Sequence, residues 1–267
     1  MESILGMEEF KKEIRELKEQ LAQLQASNVL WGKKYIACGD SFTEGDFNHW
    51  VDENGLAKRE SPVIYDKEWG MYKTYPWQIG KRNNMTIINE AKCGSILALD
   101  KRYVAGEDEI TIESRNPFSL QRYKQIPEDT DYCTIWFGIN DSAHTNLGTI
   151  DDTTNETFYG AWNVVLEWLI TNRPYMKIGI IVTDADAHPD WRQATRECAC
   201  KWGIPYLDMM GDVRVPVIMG REPELGLCAK SEELRTKSFV VSDKNGHPNL
   251  KAHEYQSYII ENFLRSL

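Results

Sequence analysis

At 267 residues, 42% hydrophobic and 27% charged, the chain has the length and composition of a globular protein with one large α/β domain or two small ones. A formal net charge of −10 excludes the basic footprint that a nucleic-acid binder needs. No apolar run approaches the roughly 20 residues that cross a bilayer, so no membrane span is expected.

The first segment, MESILGMEEFKKEIRELKEQ, lacks the basic and apolar regions of a signal peptide. Synthesis and folding in a cytosol are therefore expected, with release by lysis or within a phage or surface particle left open. Met7, Phe10, Ile14, Leu17, Leu21, Leu24, Asn28 and Trp31 follow alternating steps of three and four, an a/d heptad seam. Glu13 at a g position and Lys18 at the following e position suit an interchain pair in a parallel coiled coil. The apolar stripe is narrow and the polar faces broad, which favours a coiled-coil seam over a helix lying on its own domain. Residues 1–31 are thus predicted as a coiled-coil helix that joins copies of the chain. Ile and Leu at a with Leu at d do not separate dimer from trimer.

From residue 32 the rhythm changes. Strands are predicted at Lys34–Cys38, Thr86–Ala91, Tyr132–Phe137, Lys177–Thr183 and Pro205–Met209. Helical patterns lie at Pro76–Arg82, Glu156–Asn172, Asp190–Trp202 and Leu250–Leu267. In the second of these Trp162, Val165, Leu166 and Leu169 share a face; in the last, Tyr258, Ile259 and Phe263 are expected inward. Alternating strands and helices imply an α/β domain over residues 32–267, with a parallel sheet covered on both faces. Two irregular stretches, 46–75 and 94–127, leave strand carboxyl ends, where open α/β sheets bind ligands.

Six cysteines give no disulfide framework: Cys38, Cys93 and Cys133 sit in or beside strands, Cys198 and Cys200 form C-x-C on a helix, and Cys228 stands in a loop. A zinc site wants C-x₂₋₄-C pairs and usually four ligands, so no metal is expected, nor any cofactor. The carboxylates of TDAD, 183–186, are read as a strand-end turn.

Four short pieces carry chemistry: Gly39-Asp40-Ser41, Gly94 in AKCGSIL, Gly138-Ile139-Asn140-Asp141, and DKNGHPN at 243–249. Acyl transfer needs a hydroxyl nucleophile, a base and donors aimed at the developing oxyanion. Ser41 is the candidate nucleophile, His247 the base, and Asp243 the group that orients the imidazole. The oxyanion would meet the N–H of Ser41, the N–H of Gly94 and the side-chain amide of Asn140. Gly94 lets the backbone approach a substrate closely. Asp40 is read as fixing the turn by bonding local backbone N–H groups.

These residues resemble the SGNH (GDSL-type) hydrolases, whose four blocks carry Ser, Gly, Asn and His in that order. The resemblance covers roughly residues 34–267 and implies a flavodoxin-like three-layer α/β/α sandwich with a central parallel sheet. It also implies an esterase, lipase or carbohydrate deacetylase, with Ser41 as nucleophile, Gly94 and Asn140 in the oxyanion hole, and His247 as base. One departure stands out. The family places its acid three residues before the histidine, where this chain has Lys244, and Asp243 lies four before. Either Gly246 lets the loop bend so that Asp243 reaches the ring, or a Ser41–His247 dyad operates.

His144, just past Asn140, is a weaker candidate for the pocket wall; His188 and His253 are read as surface or helix residues, and His49 as part of the insertion. Trp50, Tyr65, Trp69, Tyr72, Tyr75 and Trp77 cluster in and after the first insertion, and aromatic faces suit sugar rings. A small acyl group, acetate above all, on a glycan is the expected substrate. A general short-chain esterase or lipase is the alternative, and an oligomeric carbohydrate- or receptor-binding module with little activity is the reading from a different class.

Overall fold

In the computed structural model the residues described are 2–45, 65–182, 188–218, 220–242 and 245–267. Five strands form one parallel sheet: β1 (Lys34–Gly39), β2 (Thr86–Asn89), β3 (Tyr132–Trp136), β4 (Lys177–Val182) and β5 (Tyr206–Asp208). Their spatial order is β2-β1-β3-β4-β5. The chain reverses direction across the sheet between β1 and β3, which opens a crevice at their carboxyl ends.

Burial on both faces explains why the strands read as almost continuous apolar runs. Alternation along each strand assigns side chains to two cores. Ile36, Cys38, Cys133 and Ile135 enter one core, with Trp162, Val165, Leu166 and Leu169 of α3 (Phe158–Asn172) and Ala194, Cys198 and Ala199 of α4 (Pro189–Trp202). Tyr35, Ala37, Tyr132 and Trp136 enter the other, with Tyr75 and Ile79 of α2 (Tyr75–Asn83) and Ala252, Ile260 and Leu264 of α6 (Leu250–Ser266). The result is a three-layer α/β/α sandwich. Each large aliphatic side chain buried this way contributes about 1.5–3 kcal/mol.

The long helices start where side chains satisfy their free N–H groups. Thr157 Oγ1 accepts from Gly160 N at 3.2 Å, and Asn249 Oδ1 accepts from Ala252 N at 3.1 Å. Among the elements with no counterpart in the sequence reading are two at the C-terminal end. One is α5 (Ala229–Phe239), which buries no residue; the other is a hairpin of β6 (Val240–Ser242) and β7 (Asn245–Pro248). Tyr258, expected inward, is exposed and lies 4.1 Å under the Arg82 guanidinium. The buried stripe of α6 is Ala252, His253, Gln256, Ser257, Ile260, Glu261 and Leu264, and Ile259 and Phe263, also expected inward, are partly buried against the core.

The N-terminal helix α1 runs Glu2–Ser27. Every described side chain from Met7 to Gln23 is exposed, the seam residues Phe10 (62%) and Leu17 (58%) among them. At its end Asn28 donates to Asn83 Oδ1 (2.9 Å) and accepts from Arg265 Nη1 (2.7 Å), and Leu30 is fully buried. The seam therefore meets the domain at Asn28. No helix among the described residues is long and apolar enough to cross a membrane.

Candidate active site

β1 and β3 pair so that Gly39 stands opposite Trp136, which sets the segments after both strands side by side at the crevice. Directly after β1 the chain turns into a short helix, Ser41–Glu44. Asp40 caps it, its Oδ1 accepting from Phe42 N at 3.0 Å, as its place beside Ser41 had suggested. Ser41 is the first residue of that turn, so its N–H has no carbonyl a turn earlier to bond. Its side chain is nearly buried, and its Oγ lies 2.9 Å from His247 Nε2. With the ring proton on Nδ1, Nε2 accepts the Oγ–H, the geometry a general base requires.

His247 comes from β7, over 200 residues away in sequence. Its ring packs on Phe42, centroids 5.2 Å apart, and Phe42 stands edge-on to Trp136 at 6.0 Å. Asn249, two residues on, donates its amide to the carbonyls of Ser238 and Val240, each at 3.0 Å, while capping α6. One side chain thus ties the hairpin bearing His247 to the helix behind it. Asp243 lies outside the described residues, as do His49, Trp50 and residues 183–186.

The loop after β2 carries Gly94 in a turn closed by Ser95 N donating to Lys92 O at 3.1 Å. Gly94 has φ +72°, a conformation that side-chain-bearing residues adopt reluctantly. Among the described residues, its chain neighbours apart, nothing lies within 4 Å of where its Cβ would be, so backbone conformation, rather than crowding, calls for glycine. Ser95 Oγ donates to Gly39 O (3.2 Å), and Ser95 O accepts from Asn140 Nδ2 (3.0 Å). Asn140 Nδ2 also stands 3.5 Å from Asp40 Oδ2. Ser95, next to Gly94, thus links the end of β1 to Asn140.

Asp141 is a residue whose place sequence reasoning left unassigned. Fully buried, it accepts from Leu97 N (2.8 Å) and Ala98 N (3.2 Å), bracing the loop that presents Gly94. Burial pushes the carboxyls of both Asp40 and Asp141 up to about 7, and the charge of Asp40 adds to the effect on Asp141. His253 is wholly buried, and burial, with His247 nearby, lowers it to about 3. Its neutral ring lies behind the catalytic candidates rather than at the surface.

Of the aromatic cluster, Tyr75 is core, with its hydroxyl 3.2 Å from Thr43 Oγ1. Trp69 and Trp77 pack edge to face, 6.3 Å apart, beneath Lys81. Tyr72 also approaches the turn bearing Ser41, packing beside Gly45, and the exposed Tyr65 stands edge-on to it at 5.1 Å. His144 ends the turn Ile139–His144 and is half-buried. Among the described residues no cluster of His, Cys, Asp and Glu has the arrangement of a metal site.

No protein-family model and no curated protein sequence matches the chain. Solved structures do match its fold. One is named as a GDSL-like lipase from Bacteroides uniformis, with TM-score 0.60, 15% identity and coverage of 88% of this chain and 97% of that one. Another of that name, from Bacteroides ovatus, gives 0.59, 16%, 88% and 100%. A carbohydrate esterase gives 0.50, 11%, 88% and 65%. At these identities the likeness is one of fold.

Proposed function

We propose that this chain, which has an SGNH (GDSL-type) hydrolase fold, is a serine esterase that removes short acyl groups, acetate above all, from a carbohydrate. The observation that carries the proposal is the 2.9 Å contact of Ser41 Oγ with His247 Nε2 at the crevice between β1 and β3. In this mechanism Ser41 Oγ attacks the acyl carbon and its proton passes to His247 Nε2. The N–H groups of Ser41 and Gly94 and the side-chain amide of Asn140 meet the oxyanion. His247 then protonates the departing sugar alkoxide, and water, deprotonated by His247, releases the acid from Ser41. Asp243 is the proposed partner of the imidazole. The Tyr65–Tyr72 pair beside this turn gives an aromatic wall for a sugar ring.

Copies of the chain are proposed to associate through α1. Met7, Phe10, Ile14, Leu17 and Leu21 are all exposed on one stripe, an arrangement that water disfavours without a partner. Parallel pairing also sets Glu13 against Lys18 of a second copy. Residues 1–31 then form a stalk for a hydrolase domain of residues 32–267.

Hydrolysis of p-nitrophenyl acetate by the wild type and by Ser41→Ala tests the esterase, and a panel of acetylated glycans and short-chain esters tests the substrate. Turnover of the glycans above simple esters is expected. Equal turnover of both would favour a general short-chain esterase, and no Ser41-dependent hydrolysis would leave a binding module.

A further inference from the structure

We infer that Glu44 is a positioning residue for the oxyanion hole: its carboxylate, carried on the same short helix as Ser41, fixes the turn 92–95 so that the Gly94 N–H faces the substrate oxygen. This role rests on the esterase proposed above and extends its machinery by one residue. The turn is laced to the strand and helix that carry Ser41. Lys92 N and Ser95 Oγ both donate to Gly39 O, at 3.1 and 3.2 Å, and Ser95 N closes the turn on Lys92 O at 3.1 Å. Cys93 N donates to Glu44 Oε2. Glu44 is itself anchored, its backbone N–H donating to Asp40 O at 2.9 Å, and the neighbouring Thr43 O accepts from Asn89 Nδ2 at 3.0 Å. The backbone N–H groups of Lys92, Cys93 and Ser95 are thus taken. Among the described residues that of Gly94 donates to no protein acceptor.

An open donor serves only if it points the right way, and this turn has two ways to point. φ is +72° at Gly94 and not positive at Cys93, the pattern of a type II turn. Between types II and I the two dihedrals flanking the central peptide differ by about 150° and 170°, which turns the Gly94 N–H toward the opposite face. Glycine takes either sign of φ with similar ease, so residue 94 permits the type II form without enforcing it. The constraint has to come from its neighbours. Gly39 O and Asn140 hold the two ends of the turn, whereas Glu44 holds the amide of Cys93, the residue whose ψ sets the central peptide. An ionised acceptor suits this task, because a hydrogen bond to it is roughly twice as strong as one between neutral groups. Glu44 and Ser41 share one helical turn, so the element that places the nucleophile also places an oxyanion donor. Donors fixed beforehand need no reorganisation at the moment of reaction.

Hydrolysis of p-nitrophenyl acetate by wild type, Glu44→Ala, Glu44→Gln and Glu44→Asp tests this role. Losing one oxyanion donor outright costs about 10²–10³ in kcat, so a turn that flips part of the time should cost Glu44→Ala about 10- to 100-fold, with KM within about twofold. Glu44→Gln keeps an acceptor oxygen at the same reach and should stay within about fivefold of wild type. Glu44→Asp keeps the charge but shortens the reach, and should lose as much as the alanine variant. If Glu44→Ala fails to fold by near-UV circular dichroism, the aspartate and glutamine variants make the comparison between them. Phenylboronic acid, whose boron takes Ser41 Oγ and presents a tetrahedral oxygen to the same donors, gives a readout without turnover. Its Kd by calorimetry should rise by the factor by which kcat falls. In protein labelled with nitrogen-15 glycine, the Gly94 amide proton should shift when phenylboronic acid binds wild type, and far less in Glu44→Asp. Unchanged kcat in Glu44→Ala, a raised KM without a lowered kcat, a glutamine variant no better than alanine, or a Gly94 amide indifferent to phenylboronic acid would overturn the inference. A wild type that hydrolyses no ester counts against the esterase, whereas an active wild type indifferent to position 44 counts against Glu44 alone.

Discussion

The Asp141 carboxylate accepts the backbone N–H of Leu97 at 2.8 Å across more than forty residues of sequence, which ties the turn bearing Asn140 to the loop bearing Gly94. Removing it in Asp141→Ala leaves two buried N–H groups without partners. A loss of about 2–4 kcal/mol in urea unfolding is expected. Asp141→Asn keeps the acceptor oxygen and sheds the ionisation. The folded pKa, about 7, lies above the ordinary carboxyl value of 3.8, so the native state holds the proton more tightly than the unfolded chain. This group's contribution to stability is present below about 4 and is lost as pH rises to about 7. His253, lowered to about 3, acts in the opposite sense up to its ordinary 6.5, so the comparison must be made between proteins at each pH. Relative to wild type, Asp141→Asn should gain stability from pH 5 to pH 8. An unchanged difference would remove the burial effect.

Asn249→Ala should cost both stability and turnover. The side chain caps α6, a contact worth about 1 kcal/mol, and also pins the His247 hairpin through two carbonyls. A loss of about 2–3 kcal/mol is expected from the cap and the two bonds together. A fall in kcat larger than the fall in folded fraction should accompany it, read by combining kinetics with near-UV circular dichroism. Activity that tracks the folded fraction would make Asn249 a helix cap and nothing more.

Asp243→Asn should lower kcat by about 10²–10⁴ at neutral pH, because a carboxylate on the imidazole fixes its tautomer and stabilises its cation. Partial recovery at higher pH should follow, since an unsupported histidine has a lower pKa. A loss under about threefold would leave a Ser41–His247 dyad.

Deleting residues 1–27 should release a folded, active domain of lower mass in sedimentation. The cut spares Asn28, whose bonds to Asn83 and Arg265 close the base of the domain. A monomeric full-length chain would refute self-association through Phe10, Leu17 and their neighbours.

The sheet and its helices were legible because burial writes itself into local pattern: YIAC and YCTIW are apolar throughout, and α3 repeats at helical spacing. That Ser41, Gly94 and Asn140 each follow a strand of the sheet was legible from the apolar runs before them. α5 was not, because it buries no residue and so has no apolar face to betray it; Leu234 is 52% exposed. The His247 hairpin hid in a polar stretch whose one apolar run, Phe239-Val240-Val241, is too short to announce a strand. Asp141, Asn249 and Ser95 act through contacts made only on folding, and no local pattern marks such partners. Tyr258 was misplaced because an aromatic ring can lie on the surface beneath an arginine as readily as in a core.

The central claim is that Ser41 is the nucleophile activated by His247. Mass spectrometry after treatment with a serine-directed phosphonate tests it most directly. The account predicts one phosphonyl group per chain, on Ser41, with p-nitrophenyl acetate hydrolysis lost in step, and neither labelling nor activity in Ser41→Ala, whose kcat should fall by about 10⁴–10⁶. Label on another residue, or a Ser41→Ala protein that retains more than about a tenth of the activity, would contradict it.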